Sequence, residues 1–234
     1  MDTVSKLCRI PIIVFLLVWI AGSCQSRDSG CRGCVLDTAL DTVSYCIGQD
    51  MAQYISHTNG KLDVEMLDLD VVIEGIVSTL EGKNLFTFAE SDKIMSEYFK
   101  KTLPEKALEG SLEFLKRVEK SDKNIRKTET GLLYEIVKEG NNRRPDIGSV
   151  VYLMYEGRRR DGSVFESTYN DYQGEESFPM EFVMKGWQEG LSMIGEGGVI
   201  KLWLHPDLAY GETGNERIGP NQALYYYIEL IAVI

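Results

Sequence analysis

FVMKGWQEGLSMIGEGG, residues Phe182 to Gly198, places Trp187 directly after a glycine, with apolar residues on both sides. The spacing predicts one short helical turn around Trp187–Met193. GEGG (Gly195–Gly198) precedes an apolar run instead of following a strand and opening a helix, which excludes a dinucleotide fingerprint. Outward from this stretch lie strand-like runs: LLYEIV and SVVYLMYEG before it, VIKLWL and ALYYYIELIAVI after it. Asp161-Gly162 is a tight-hairpin signal. Thirteen of the 23 aromatic residues fall between Pro145 and Ile234, so an apolar recognition pocket belongs to this half. The reading is an α+β unit, an antiparallel sheet with a short helix laid against it.

The region before it reads as helical. Leu36, Leu40, Val43, Ile47, Met51 and Tyr54 recur at steps of three and four, and His57-Thr-Asn-Gly60 supplies an end. A second pattern runs through Val64, Leu67, Val71 and Leu80 and stops near Gly82. A third starts after Ser91, read as its N-cap, and carries Ile94, Tyr98 and Phe99 to Pro104, which breaks or kinks it. Leu108, Leu112, Leu115 and Val118 extend the helix to a polar connector, SDKNIRKTETG. Such helices pack on themselves or on another chain.

Lys6 and Arg9 precede IPIIVFLLVWIA (Ile10–Ala21), an apolar run too short to span a bilayer, and small residues follow up to Cys24. This predicts an export signal over residues 1–23 and a tether over 24–34. Cys31-Arg-Gly-Cys34 has redox or half-zinc spacing, yet no second CxxC or paired histidines follow, so a local disulfide is the expectation. The formal net charge of -11 argues against nucleic acid as a partner. The basic runs at Arg143–Arg144 and Arg158–Arg160 read as a solvated loop and a strand end. His57 and His205 have no partners placed for a triad or a metal site, and Cys46 lies on a helix stripe. The expectation is chemistry without metal or cofactor.

Four motifs in order, YEGRRRDGSVFEST, F-x-x-x-x-VMKGWQEGL (Phe178–Leu191), LAYGETG and IGPNQALYYYIELI, resemble an FKBP-type peptidyl-prolyl cis-trans isomerase over roughly residues 132–234. SYCIGQDMAQYI, LDVVIEGIVSTLEGK, ALEGSLEFL and GLLYEIVKEG resemble the N-terminal module of the Mip and FkpA type. The resemblance implies an all-α dimerisation arm with its linker (35–127), followed by a twisted antiparallel sheet wrapped on a short helix (128–234). It assigns catalytic roles to Tyr155, Phe165, Glu166, Trp187, Tyr210 and Tyr226. It assigns substrate binding to Phe178, Val183, Met184 and Ile218, with Trp187 as the pocket floor and Gly186 letting the backbone turn sharply. Glu166 and the Tyr210 hydroxyl take the polar contacts to the peptide, and the Met184 amide is a donor. AGSC resembles a lipoprotein signal in which Cys24 is acylated, although Ala21 stands where leucine is common; cleavage nearby to a soluble product is the alternative. Partners implied are proline-containing unfolded or exported polypeptides, a second copy of the chain, a membrane lipid anchor and FK506-like macrolides, all in a bacterial cell envelope.

An apolar pocket suits the reaction. Rotation about X-Pro costs about 18–20 kcal/mol because amide resonance is lost midway. A twisted amide separates less charge than a planar one, so a dry pocket stabilises it differentially. Three residues depart from the family pattern: Glu166 for aspartate, Met184 for isoleucine, and Tyr226 for phenylalanine, whose hydroxyl needs a partner. A chaperone or peptide-binding module with a weakened isomerase site is the competing reading. On that division, deleting residues 35–120 leaves short-peptide turnover intact.

Overall fold

The computed structural model describes residues 36–62, 67–169 and 174–234. The predicted signal, the tether, Cys24, Cys31, Cys34 and Val64 lie outside them. Contacts divide the chain between Ser44 and Tyr45. In the first unit, Thr38 and Asp41 cap the helix start: the Thr38 N–H and hydroxyl donate to Asp41 Oδ2 at 2.9 and 2.7 Å.

Helix α1 (Ala39–Lys61) continues through His57–Gly60, one residue past the predicted stop, and the Asn59 side chain accepts the Leu67 N–H. Helix α2 (Leu69–Leu80) starts at the Asp68 cap and ends before Gly82, whose φ of 71° only glycine adopts cheaply. Helix α3 (Phe88–Glu97) begins earlier than expected. Its N-cap is Thr87, with Glu90 completing a capping box; Ser91 lies inside the helix. None of these three helices buries a residue, so the predicted stripe of Leu40, Val43, Ile47, Met51 and Tyr54 forms but stays uncovered.

Pro104 does not end the helical run. A five-residue π turn (Tyr98–Thr102) leads into α4 (Leu103–Ser121), leaving proline in the first turn, where its missing N–H costs little. The buried face of α4 is Leu103, Ala107, Ser111 and Leu115, whereas Leu112 of the predicted stripe is exposed. Leu115, Phe114 and Val118 pack with Leu133, Ala223 and Trp203, which fixes α4 against the sheet.

The sheet is antiparallel throughout, in the order β1 (Arg126–Lys127), β2 (Leu133–Lys138), β6 (Val199–Leu204), β7 (Leu224–Val233), β3 (Val150–Arg159) and β4 (Val164–Ser167). Strand β5 (Glu176–Pro179) follows β4 along the same edge of β3. Burial alternates through all of β6, through β3 up to Gly157 and through β7 up to Leu230, which gives one face to the core. Gly162, at φ 87°, makes the predicted hairpin between β3 and β4. Strands β1, β4 and β5 are too short to have shown a period. Helix α5 (Lys185–Ser192) lies on the core face, its Trp187 and Leu191 packed with Ile194, Ile200, Leu202 and Leu204.

The glycine before Trp187 serves close packing instead of a sharp turn. Gly186 is inside α5 and has no positive φ, and a Cβ there would come within 2.3 Å of Leu204 Cδ2. Gly190, one turn on, meets Leu202 at 2.6 Å in the same way. The two glycines let α5 descend onto β6, which brings the following tryptophan to the floor of the core.

Candidate active site

Trp187 is 3% exposed and enclosed by aromatic edges. Tyr155 from β3 and Tyr226 from β7 each stand 5.0 Å from the indole between ring centroids, at 73° and 87°; Phe178 from β5 stands at 5.9 Å and 90°. Edge-to-face pairs of this kind contribute about 0.5–1.5 kcal/mol each beyond area burial. Phe165 from β4 meets Tyr226 at 5.8 Å, and the Arg159 guanidinium lies 5.5 Å from the Phe165 ring. One residue of the basic run read as a strand end thus belongs to the wall. Gly157 makes the convergence possible: a Cβ there would lie 2.8 Å from both Phe165 and Tyr226 and 3.0 Å from Glu166.

Val183 and Met184 precede α5, half-buried against the same core, with Met184 as N-cap in extended backbone. The Gln188 side-chain amide donates to the carbonyls of Met180 (3.0 Å) and Val183 (3.1 Å) and so holds this approach to the helix. The Met184 N–H makes no hydrogen bond among the described residues, which leaves a donor beside the indole. Ile218, 1% exposed, and Tyr210 complete the cluster from the segment between β6 and β7. All ten residues assigned to the pocket from the sequence are therefore brought together; Cys24 lies outside the described residues.

The polar arrangement differs from the expectation. The Tyr226 hydroxyl donates to Glu166 Oε1 at 2.6 Å, so the extra phenol oxygen and the longer carboxylate satisfy each other. The Tyr155 hydroxyl donates to Glu176 Oε2 at 3.2 Å. Burial raises the Glu166 carboxyl above the usual range, opposed by the Tyr226 hydrogen bond and by the charge of Arg217. Burial, then the Glu166 carboxylate, raise the phenols of Tyr155, Tyr210 and Tyr226, so all three remain neutral donors. The Trp187 indole N–H is buried without a partner. Glu176, Gln188 and Gly157 were not singled out from the sequence. Glu176 is one of many scattered acids, while Gly157 sat in plain view in the YEG motif.

This site offers ring walls, unengaged or neutral donors and one shielded carboxyl. It suits holding an apolar ring and an amide, and it lacks an activated nucleophile. Elsewhere, Cys46 is exposed and free, and the His205 ring accepts from the Asp207 N–H. Among the described residues, no group of three or more histidine, cysteine, aspartate or glutamate side chains is placed to hold a metal ion.

Residues 141–231 match the family model described as FKBP-type peptidyl-prolyl cis-trans isomerase, and residues 40–136 match that of the domain amino-terminal to it. The chain is 33% identical over 212 residues to an FkpA isomerase of Buchnera aphidicola, covering 85% of this chain and 83% of that one. It is 30% identical to the peptidyl-prolyl cis-trans isomerase Mip of Coxiella burnetii, covering 85% and 88%. The solved structure of FkpA from Escherichia coli superposes with a TM-score of 0.55 at 26% identity, covering 85% of this chain and 98% of that chain. The fold, the aromatic site and these matches together make the chain a member of the FKBP-type peptidyl-prolyl cis-trans isomerases.

Proposed function

We propose that the Trp187 pocket is where this isomerase turns X-Pro bonds. Proline packs on the indole, and the walls formed by Tyr155, Phe165, Phe178, Tyr210, Ile218 and Tyr226 exclude water from the amide. Val183 and Met184 run along the peptide, and the Met184 N–H donates to a peptide carbonyl. The rotated amide, with less charge separation than the planar one, is favoured there over its ground state. Glu166, held by Tyr226 through one oxygen, contributes a fixed dipole and not a mobile base. The observation that carries this reading is Trp187 surrounded edge-on by three rings within 5.9 Å. Isomerisation of a short X-Pro peptide by the mature chain is the test. Trp187→Ala is expected to lower kcat/KM by more than about tenfold, equivalent to more than about 1.4 kcal/mol of transition-state stabilisation. Equal turnover by the folded variant would move the site elsewhere.

The rest of the reading concerns setting. Residues 1–23 act as export signal, 24–34 as tether, 35–127 as helical arm with linker and 128–234 as isomerase domain. The chain works in the bacterial envelope on proline-containing exported polypeptides, anchored by lipid if Cys24 is acylated, and its pocket admits macrolides of the FK506 type. A homodimer is supported by the apolar groove of about 840 Å³ between α1, α2 and α3, which includes Met51, Ile55, Val72, Ile76, Met95 and Phe99. That groove also supports the second reading, a chaperone that holds unfolded chains. Aggregation suppression that survives Trp187→Ala would favour it as a separate activity.

A further inference from the structure

The segment Gly211–Ala223 carries Ile218 and follows Tyr210, so its conformation sets one wall of the pocket. Its outer side is held by the helices as well as by the sheet. Ser111 lies in the middle of α4 and is fully buried. A serine there is a poor choice for the helix itself, since its hydroxyl competes for backbone groups. This hydroxyl spans 110 residues of sequence, donating to the Asn221 carbonyl at 2.8 Å and accepting the Ala223 N–H at 2.8 Å. It thereby satisfies two backbone groups of the segment just before β7 begins.

Asn221 is tied in a second way. It is the one non-glycine residue with positive φ (54°) among the described residues, and its side-chain amide donates to the Pro104 carbonyl at 3.1 Å. Two residues earlier, a Cβ on Gly219 would fall 2.1 Å from the Lys61 carbonyl at the end of α1. On the inner side, the Arg159 guanidinium, which faces Phe165, donates to the Arg217 carbonyl at 3.0 Å. The segment is therefore gripped between the pocket wall and the helical region. The packing of Leu115 with Leu133 and Ala223 anchors α4 to the sheet independently, so Ser111 is not needed to attach the helix.

We propose that Ser111 and Asn221 are positioning residues for proline isomerisation, through which α4 holds the Gly211–Ala223 segment so that Ile218 and Tyr210 close the pocket. The proposal rests on the Trp187 site as the place of reaction. It also revises the expectation that residues 35–120 are dispensable for short-peptide turnover. Neither residue touches the peptide; both act through Ile218 and Tyr210. Losing them loosens a wall that contacts ground and transition states alike, so the loss falls mainly in KM.

The test uses the full mature chain with Ser111→Ala, Asn221→Gly and the double variant. Glycine accepts the backbone of position 221 without strain, so Asn221→Gly keeps the test open if Ser111→Ala folds poorly. Each single variant is expected to lower kcat/KM for a short X-Pro peptide about fivefold, chiefly through KM, and the double variant is expected to lose less than the product of the two. Amide exchange should speed up about tenfold within 211–223 while β6 and the far half of β7 stay protected. Faster exchange in the segment with wild-type turnover in both variants would overturn the proposal, as would an unchanged segment. A wild-type chain with turnover that Trp187→Ala abolishes but these variants spare overturns this proposal alone. A silent wild type overturns the reading beneath it.

Discussion

The residues around Trp187 and the three helices before the π turn contain similar apolar side chains at regular spacing, yet they reach opposite ends. In the sheet, the periodic residues meet across strands: Tyr155, Tyr226 and Ile228 are buried by partners far along the chain. In α1, α2 and α3 the periodic residues find no cover: Leu40 and Tyr54 are each 73% exposed and Leu80 83%. Periodicity therefore specifies which face is apolar but not what covers it. The sheet buries its apolar face within the described residues; the three helices leave theirs exposed.

The contrast is broken most strongly from the sheet side. Gly186→Ala puts a Cβ 2.3 Å from Cδ2 of the fully buried Leu204 and 3.1 Å from the Leu208 carbonyl. Overpacking of this kind costs about 1–3 kcal/mol, and chemical denaturation should show it together with a loss of turnover as Trp187 is pushed off its three rings. An unchanged midpoint would mean that α5 can ride higher on β6 than its glycines imply. Tyr226→Phe is smaller: it removes one hydrogen bond to a carboxylate and should destabilise by about 1–2 kcal/mol while leaving the ring contacts intact. If stability rises instead, the hydroxyl was a cost that Glu166 only partly offset.

The same pair gives a pH signature. Because the folded-state pKa of Glu166 is raised, the native state binds more protons than the unfolded one between the ordinary carboxylate value, about 4.3, and the folded value. Its contribution to stability is thus greatest below that window and is lost as pH rises through the folded value. Tyr226→Phe deletes the bond that favours the charged form and should extend the window upward; Glu166→Gln should abolish this part of the slope. A slope of opposite sign in the wild type would show that Arg217 and Tyr226 outweigh burial.

On the helical side the smallest thermodynamic effect is expected. Met95→Glu, in the open groove, should leave the unfolding midpoint of the sheet within about 0.5 kcal/mol of the wild type, because it breaks no contact there. Its effect should appear in sedimentation, as a shift from dimer to monomer. A matching fall in the midpoint of the sheet would erase the distinction between the two regions.

Much of this was legible beforehand. The strand-like runs and the Asp161-Gly162 hairpin follow from spacing and turn chemistry, whereas the ten pocket residues were assigned only through the family resemblance. What was not legible has physical reasons. Strands β4 and β5 have four residues each and show no period. The start of α3 was missed although Thr87-Phe-Ala-Glu90 is a written capping box; Ser91 offered an equally valid cap by residue type alone. The partner of the Tyr226 hydroxyl is 60 residues away, and that of the Ser111 hydroxyl 110 away. Single polar contacts across such distances leave no periodic trace, and nothing in the sequence singled out Ser111.

The π turn at Tyr98–Thr102 gives the helical run a property that neither half has alone. Met95, Phe99, Leu103, Ala107, Ser111 and Leu115 are spaced by four, and in an unbroken α-helix such a series drifts by about 40° per step. The wider turn takes back roughly one residue of that drift, about 100°, just before Leu103. It offsets part of the drift: five steps would turn the series by about 200°, and the wider turn removes about 100° of that. Because Leu115 fixes α4 on Leu133 and Ala223, a chain lacking a single residue between Tyr98 and Thr102 would keep Ser111 at Asn221 and instead swing α3 about the rod axis by about 100°. Helix length in this molecule is therefore a timing element: an insertion or deletion there is read as an angle at the groove that Met95 and Phe99 line.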